Sequence, residues 1–563
     1  MVKLESKKLE SILYFLIGVM IIILVNQLSG RIFYRFDLTE EKRYTISEAS
    51  KNILRNLDDI VYVDVYLEGA LPAGVKRLQK AVKETLDEFK VYAGSNLQFR
   101  FIDPSTAKSQ KARQEFYEGL IKKGIQATNL YDNIHGKQTQ TLVFPGSILT
   151  YGTKELGITF LKGNKTSSPQ EQLNQSIEGV EYELSSAIKS LTDVKTKRIA
   201  LLKGHGELDT LQIAGLTSEL MKKYKVFHVD LTSRPNLLGF DAIIMAKPRR
   251  QFSEQDKYKI DQFIMRGGKA MFLIDALTAN MDSASSPNNL ALPFETNLDD
   301  LFFKYGFRIN RDLIIDMNAA PYPVVVGNMG DNPQIRLLPW PFFPIINNFT
   351  GHPTVRNMDA VVTKFISTID TVKAEGIRKI PIMQTSQYSK VLSAPILVNI
   401  DELRKEMKPE FFDSGPQITA WIYEGKFTSF FKNRFLPNNM NKSAFIADGN
   451  PTKILIVADG DIARNDINPK TGQPVELGFD QFTETKFSNA DFLVNVMTYL
   501  VEEDGIINTR SKEVKIRPLD KVKIQSQKLT WQLINLVLPI VLIVIFGILK
   551  YFLRKRKYAS FKS

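Results

Sequence analysis

The sequence predicts an α/β protein in which two βα-type soluble domains lie between two transmembrane helices. Short apolar strands alternate with amphipathic helices through most of the chain, the pattern of sheets covered by helices. Two uncharged apolar segments of about 20 residues lie near the termini, and each is long enough to cross a bilayer. The 563 residues are 44% apolar and 24% charged, which is the composition of a folded protein with several cores.

The first apolar segment spans residues 11–30 and is bounded by Glu10 and Arg31. Lysines before it would also suit a cleaved signal peptide. However, the segment ends in Asn-Gln-Leu-Ser-Gly, which contains no small-x-small cleavage site. We therefore expect an uncleaved transmembrane helix.

The second apolar segment spans residues 529–549 and is bounded by Lys528 and Lys550, and the transmembrane helix predicted from it covers 529–551. Pro539 lies inside it, which a membrane helix tolerates as a kink. Trp531 and Tyr551 stand near its ends, where aromatic rings favour the membrane interface. The alternative is a buried core helix, but the length and composition favour a second span.

Two spans place the tails 1–10 and 552–563 on the same side of the membrane. Both tails are basic, which favours a cytoplasmic position. Basic residues also flank the apolar segments on the domain side, so the charge difference between the two sides of the membrane is small. Because long translocated domains are discounted by the positive-inside rule, the sequence favours an extracytoplasmic domain.

The formal charge of +13 is spread along the chain, with Lys and Arg scattered among Asp and Glu. A nucleic-acid binder would concentrate basic residues on one face or tail, so no nucleic-acid partner is predicted. The clearest basic clusters flank the apolar segments and point to the lipid bilayer. The absence of cysteine excludes disulfides, thiolate catalysis and iron–sulfur clusters.

The soluble region begins with a linker helix within residues 31–58, predicted from the capping-box spacing of Thr45 and Glu48 and from an apolar stripe. A first α/β domain over 59–195 follows, in the order β-α-β-α-β-β-α. Its last two strands form a predicted hairpin around Gly152. This order is that of the thioredoxin fold, but the redox Cys-x-x-Cys is missing.

The second α/β domain covers residues 196–510. Its apolar strands alternate with helices, which predicts a parallel sheet covered on both faces and closed by a late strand at Lys453–Ala458. A poorly periodic insertion at about 280–450 contains some strands, and its run Pro339–Pro344 cannot be an ordinary helix or a central strand. A juxtamembrane segment, 511–528, leads to the second span.

Polar residues follow several predicted strands of the second domain, and we take five of them as candidate ligand-binding residues. In an open α/β sheet, ligands bind at the carboxyl ends of the strands. Glycine-rich turn chemistry and favourable charge at a helix N-terminus explain the same residues equally well. The candidates are His205, Glu207, Asp275, Asp459 and Asp461.

The sequence lacks the motifs of common enzymes. There is no Walker A loop, no Gly-x-Ser-x-Gly elbow and no His-x-x-x-His pair. We therefore predict no catalytic residues, no metal site and no cofactor. A membrane-bound hydrolase that uses the carboxylates is a remote alternative.

Two motifs carry a resemblance to a known family. The segment Phe36–Leu57 contains Thr-Ile-Ser-Glu-Ala-Ser and leads into a β-strand, and Leu202–Glu207 ends in Gly-His-Gly-Glu. With its two anchors, the chain resembles the gliding-motility-associated auxiliary, substrate-binding type subunits of ABC-type transport systems. The resemblance extends over essentially the whole chain, and neither motif is a catalytic signature.

The resemblance implies an inner-membrane protein with a periplasmic domain and both termini in the cytoplasm. Its implied partners are an ABC-type ATPase subunit and a multispanning permease subunit. The second domain would have a class I glutamine-amidotransferase-like fold. Enzymes of that fold use a cysteine nucleophile, which this chain lacks, so that activity does not transfer. We expect a non-catalytic accessory subunit, with an extracytoplasmic receptor for a small molecule or glycan as the alternative.

Overall fold

A computed structural model gives the structure of the chain, which divides into two compact units, Met1–Lys512 and Glu513–Ser563. The predicted tail 1–10, most of the juxtamembrane segment and parts of the linker and insertion lie outside the described residues. The described residues are 13–24, 26, 45–106, 109–134, 137–161, 169–193, 197–279, 289–329, 332–400, 403, 407–437, 442–468, 470–502, 505–511 and 527–558.

The linker contains the predicted helix, but its N-cap is Ser47 and not Thr45, which the sequence suggested. The helix spans Glu48–Arg55, and the Ser47 side chain accepts a hydrogen bond from the Ser50 backbone N–H at 3.1 Å. Ser47 therefore satisfies a free amide of the first turn, and the predicted capping by Thr45 is wrong.

The first domain is a four-stranded mixed sheet in the order β2-β1-β5-β6, with helices packed on it and a separate hairpin β3-β4. Strands β1 and β2 are parallel, and the other neighbours in the sheet are antiparallel. Together with the linker helix α2, its elements are β1 Val61–Val65, α3 Ala73–Ala93, β2 Leu97–Phe101, α4 Gln110–Lys122, β3 Thr128–Ile134, β4 Lys137–Val143, β5 Gly146–Tyr151, β6 Lys154–Thr159 and α5 Pro169–Thr192.

The predicted hairpin around Gly152 is present as β5 and β6, with Tyr151 opposite Lys154. The sequence predicts a single strand over 141–151, which merges the end of β4 with β5, so the hairpin β3-β4 was missed. Pro145 separates those two strands because its nitrogen has no hydrogen to donate to a ladder. The thioredoxin-like assignment of this domain stays a prediction.

The second domain is built on an eight-stranded sheet in the order β16-β19-β22-β23-β10-β9-β7-β8. The five strands from β8 to β23 are parallel, as predicted, and the other three are antiparallel. The parallel strands and the helices that cover them are β7 Arg198–Lys203, α6 Ala214–Met221, β8 Lys225–Asp230, β9 Ala242–Ala246, α7 Glu254–Met265, β10 Lys269–Leu273, β23 Asp448–Val457 and α9 Asn489–Val501.

Both faces of this sheet are covered, because successive residues of its central strands point into two different cores. On β9, Ala242 and Ile244 belong to the core beneath α6 and α9, whereas Ile243 and Met245 belong to the core beneath α7. This alternation explains why the strands read as continuous apolar runs in the sequence.

The insertion contributes α8 and most of the remaining strands, three of which extend the main sheet. The sequence predicts strands in the insertion at 360–368 and 394–399, and the structure has at these places only the two-residue strands β17 and β21. The elements are β11 Leu290–Ala291, α8 Asp299–Tyr305, β12 Phe307–Ile309, β13 Asp312–Asp316, β14 Ala319–Met329, β15 Asn332–Ile346, β16 Asn348–Phe349, β17 Val361–Val362, β18 Ile369–Thr371, β19 Ile377–Gln384, β20 Ser389–Ser393, β21 Ile396–Leu397, β22 Ile418–Thr428, β24 Phe479–Asp480 and β25 Thr485–Lys486.

The proline-rich run Pro339–Pro344 lies in β15, which pairs with β14 along one side. On its other side the run accepts hydrogen bonds at the carbonyls of Phe342 and Pro344, from Phe365 at 2.9 Å and from Thr363 at 3.0 Å. Carbonyl acceptors need no proline N–H. The run therefore lies in the middle strand of the sheet β14-β15-β17, and the prediction that it cannot be a central strand is wrong. Proline is tolerated because the ladder with β14 is interrupted there by a register shift between Ala319 and Pro321.

Helix α5 of the first domain joins the two soluble domains. Its Lys189 Nζ lies 2.8 Å from Glu502 Oε2, and both side chains are largely buried. The segment Ile506–Ser511, a 3₁₀ helix at the end of the second domain, packs on α5 and also contacts α2. Ile53 of α2 lies against the core that contains Ile506. The first helix of the soluble region and its last segment are therefore neighbours.

The predicted second span is a helix, α10, over Lys528–Tyr558. Its stretch Thr530–Arg556 is the one helix in the described part of the chain that is long and apolar enough to cross a membrane. The helix continues beyond the predicted end at 551, into the basic tail. Near the N-terminus an apolar helix, α1, covers Leu13–Leu24, too short by itself for a span, so the first span stays a prediction.

Candidate functional site

Three neighbouring parallel strands, β9, β10 and β23, end at the same edge of the main sheet. Leu273 at the end of β10 pairs with Ala246 of β9 and with Val457 of β23. Because the strands run in parallel, the residues that follow them meet at this edge. Those residues include a lysine and three of the predicted aspartates. The set, called the aspartate cluster below, is Lys247, Asp275, Asp459 and Asp461.

The aspartate cluster is buried, and its charges face one another. One carboxylate oxygen from each of the three aspartates lies within 4.8 Å of the other two. Lys247, which is 2% exposed, places its Nζ 2.7 Å from Asp275 Oδ2 and also donates to Asp461 Oδ2. The lysine therefore supplies an internal cation to carboxylates that would otherwise repel one another.

Backbone amides fix the orientation of two of these carboxylates. Asp275 Oδ1 accepts from the Gly460 N–H at 2.6 Å. The two oxygens of Asp459 accept from Asp461 N–H at 2.7 Å and from Lys364 N–H at 2.9 Å. Gly460 is required here, because a Cβ at this position would lie 2.6 Å from the Cβ of Lys247.

The aspartates of the cluster differ in their proton affinity. Burial, together with the charges of Asp461 and Asp275, raises the pKa of Asp459 well above its usual range. Burial also opposes the ionisation of Asp461, but the attraction of Lys247 outweighs it and lowers the pKa of that carboxyl. Lys247 is likewise penalised by burial, and its two carboxylate partners still raise its pKa. Burial raises the pKa of Asp275 as well, against the attraction of Lys247. These shifts favour the charged forms of Lys247 and Asp461 and the neutral form of Asp459.

Three carboxylates at this separation are a donor set that suits a hard cation such as Mg²⁺ or Ca²⁺. Two of them are already within hydrogen-bond distance of Lys247 Nζ. A metal ion would have to displace this ammonium group and then leave it buried without a partner. The arrangement thus disfavours a metal, and we assign none.

His205 and Glu207 follow β7 and belong to a second group, called the histidine cluster below, together with Asp256 of α7. The His205 ring stacks on Phe252, with centroids 3.7 Å apart, and its Nε2 lies 3.3 Å from Asp256 Oδ2. Gly204, with φ +117°, forms the turn that places the ring, and a Cβ there would meet Asp230 at 2.9 Å.

Glu207 stabilises the turn and does not present a free carboxylate to a ligand. Its Oε2 accepts from the His205 backbone N–H at 2.7 Å. Its Oε1 lies 3.7 Å from His205 Nδ1, beyond hydrogen-bond distance, and both atoms are buried without a hydrogen-bond partner among the described residues. The group orders the loop between β7 and α6 and holds it against the start of α7.

The five predicted residues therefore form two clusters. Asp275, Asp459 and Asp461 come together, whereas His205 and Glu207 pack with Asp256. Sequence reasoning missed Lys247 and Asp256. Lys247 could have been found, because it directly follows the apolar strand β9 at the same edge. Asp256 lies in the first turn of α7 and has no signal that links it to His205.

A pocket of about 250 Å³ adjoins the aspartate cluster at Asp461. Aromatic residues form part of its wall, and charged and polar residues form the rest. Neither His205 nor Glu207 lines it. The lining residues are Ala320, Pro321, Tyr322, Phe343, Val362, Lys364, Asp461, Arg464, Asp466, Ile467, Glu476, Gly478, Phe479, Asp480, Gln481, Phe482 and Asn489.

Comparison with known families gives matches over both soluble domains. Residues 196–496 match the family described as ABC-type uncharacterized transport system. Residues 40–150 match a family described as a domain of unknown function (DUF7088). The first match covers the second domain with its insertion, including both clusters and the pocket.

A relative from Borreliella burgdorferi, described as an uncharacterized protein, is 22% identical over 540 residues, covering 93% of this chain and 94% of the relative. A solved structure, the mmIFT52 N-terminal domain, is 14% identical and covers 54% of this chain and 98% of its own length, with a TM-score of 0.31. That score is too low to support an inference about the fold.

Proposed function

Because the chain belongs to the ABC-type uncharacterized transport system family, we propose that it is a non-catalytic, membrane-anchored accessory subunit of an ABC transporter complex. The family match over 196–496 is the observation that carries this proposal. Two features of the structure support it. Lys247 neutralises the acids at the sheet edge, and helix α10 provides a segment long enough to anchor the chain.

The finer form of the proposal concerns location and process. The chain would cross the inner membrane twice, at 11–30 and within α10, with its soluble domains in the periplasm and both termini in the cytoplasm. The resemblance to the gliding-motility protein GldG, a substrate-binding type subunit, would place the complex in surface gliding. Its second domain would have the amidotransferase-like fold without that fold's cysteine chemistry.

The partners that we propose are an ABC-type ATPase subunit and a multispanning permease subunit. Affinity purification of the full chain in a mild detergent should recover both. As a matched control, the same tag on a chain that ends at residue 511, without α10, should recover less of the permease. If the intact full chain brings down neither partner, the accessory-subunit proposal is wrong.

Topology has its own test. A periplasm-active reporter inserted near residue 280, within the insertion, should be active, and a reporter after residue 563 should not. The protein should resist extraction with carbonate and keep its N-terminus. A mature chain that begins after Gly30, or release by carbonate, would contradict the two-pass arrangement.

The pocket beside Asp461 favours a second candidate function, an extracytoplasmic receptor for a small molecule or glycan. Ligands of open α/β sheets bind at the carboxyl ends of the strands, which is where this pocket lies. A bound ligand should raise the melting temperature of the full chain. The His205→Ala variant should keep that increase, because His205 does not line the pocket.

A further inference from the structure

We propose that the pocket beside Asp461 binds one ring of a neutral, hydroxyl-rich ligand, which makes its ligand class a sugar. This inference rests on the receptor function proposed above and names its ligand. It is carried by three properties of the pocket walls: an aromatic side, a set of largely paired charges, and a buried acceptor atom that the protein leaves without a donor.

The aromatic side of the pocket centres on Tyr322. Its ring centroid lies 5.8 Å from that of Phe482 and 6.3 Å from that of Phe343, both in edge-to-face contact. Phe482 is 42% exposed, so part of its surface remains available to a ligand. A sugar ring has one apolar face of C–H groups, and such a face packs well against aromatic surface.

Three of the four acids that line the pocket are paired with basic side chains. Asp466 pairs with Lys364 at 3.2 Å, and Glu476 pairs with Lys486 at 2.5 Å. Asp461 is neutralised by Lys247. The fourth acid, Asp480, has no ion pair among the described residues, but it accepts hydrogen bonds from the Phe482 N–H at 3.0 Å and from the Thr483 hydroxyl at 2.5 Å. A charged ligand would lose hydration and find at most this one unpaired charge, whereas a neutral ligand pays no such desolvation cost.

One acceptor atom of the pocket has capacity to spare. Asp461 Oδ1 is buried and has no hydrogen-bond donor among the described residues. The Arg464 Nη1 lies 3.5 Å from it, too far for a normal hydrogen bond. Buried polar atoms are normally satisfied, so Asp461 Oδ1 points to a donor that a ligand or solvent supplies.

A hydroxyl group is suited to this place because it both donates and accepts. It can donate to Asp461 Oδ1 and accept from Arg464, and two adjacent hydroxyls on a ring can engage the carboxylate and the guanidinium together. The pocket volume of about 250 Å³ is below the range of about 300–1,000 Å³ typical of drug-sized ligands, which suits a single ring.

The test uses the purified full chain in detergent and isothermal titration with glucose, galactose, mannose, N-acetylglucosamine and their disaccharides. Acetate, lysine and glucose 6-phosphate serve as charged probes. We expect at least one neutral sugar to bind. The Arg464→Gln and Phe482→Ala variants should each weaken that binding by about tenfold or more, a change of about 1.4 kcal/mol. Neither side chain is buried, so both variants should melt near the wild-type temperature.

The matched control is Arg308→Gln, which removes an arginine from an exposed pair with Asp370 outside the pocket lining and should leave sugar binding unchanged. No binding of any sugar at about 50 mM, where a Kd of about 1 mM would be saturated, overturns the proposal. Binding of the charged probes alone overturns the ligand class. Binding that both pocket variants leave intact overturns the location.

These outcomes are separate from those of the accessory-subunit test. Recovery of an ATPase and a permease with a chain that binds no sugar would reject the ligand and keep the complex. Sugar binding by a chain that recovers neither partner would keep the ligand and reject the complex.

Discussion

The aspartate cluster and the histidine cluster follow strands of one sheet, yet they balance their charges in different ways. In the aspartate cluster a single buried cation, Lys247, faces two carboxylates. In the histidine cluster, Asp256 has three partners: His205, Lys259 at 2.8 Å and Ser253 at 2.7 Å. One cluster therefore depends on one residue, and the other does not.

The contrast matters because the same kind of sequence signal led to both clusters. Polar residues after apolar strands mark the sheet edge, but only the aspartate cluster reaches the pocket, through Asp461. The histidine cluster instead fixes a turn against α7. Position at the sheet edge therefore does not by itself identify a binding residue.

The largest effect should come from Lys247→Met, which keeps much of the side-chain volume and removes the cation. Two buried carboxylates then lose their partner, and we expect the free energy of unfolding to fall by about 3–5 kcal/mol near neutral pH. Urea denaturation of the full chain in detergent measures it. Part of the loss should be recovered as the pH falls, because protonation removes the uncompensated charge.

Lys432→Met is the matched control, since its amino group pairs with Asp448 at the protein surface. It should change the stability little. Equal losses for the two lysine variants would show that the aspartate cluster does not depend on Lys247.

A smaller effect is expected for His205→Leu. Asp256 keeps its bonds to Lys259 and Ser253, and Glu207 keeps the bond from the backbone N–H of residue 205. The free energy of unfolding should fall by about 1–3 kcal/mol, the cost of lost buried hydrogen bonding. His228→Leu, on the exposed edge strand β8, is the control and should change little. A loss as large as that of Lys247→Met would remove the difference between the clusters.

The smallest effect is expected for Asp459→Asn, which should change how the stability of the folded protein depends on pH. The folded protein raises the pKa of Asp459 above its ordinary value of about 3.9 and so binds the proton more tightly than the unfolded chain does. Stability from this group is therefore present at low pH and is lost as the pH rises from about 4 through the raised pKa.

Asparagine has no such proton to lose, but its amide cannot accept both backbone N–H groups that Asp459 accepts. The variant should be less stable than wild type by about 1 kcal/mol at low pH, and the difference should narrow as the pH rises. Melting curves from pH 4 to 9 measure it. A difference that widens with pH would mean that Asp459 is ionised in the folded protein.

The parallel part of the main sheet could be predicted from the sequence, because fully buried strands such as β9 and β10 appear there as unbroken apolar runs. The sequence was also sufficient to place Lys453–Ala458 in that sheet, although more than 170 residues separate β23 from β10. The mixed α/β class was predicted correctly for the same reason. The specific domain folds and the first span stay predictions.

The antiparallel half of the sheet was not predicted. Strand β19 contains Pro381 and a register shift, and β22 is half-polar along its length, so neither has a clean period. The pocket could not be predicted from the sequence either, because Tyr322, Arg464 and Phe482 meet only through tertiary packing. The aspartates could be named in advance, but their counter-ion and the neighbouring pocket could not be specified.

The contact between α2 and the segment Ile506–Ser511 has a mechanical consequence. A pulling force applied through the two chain ends of the folded region would act first on this contact and on α5. The eight-stranded sheet lies in the closed loop of chain between them and would be shielded from the tension. A fold of this construction can bear traction at the two ends of its folded region while the geometry of its pocket stays undisturbed.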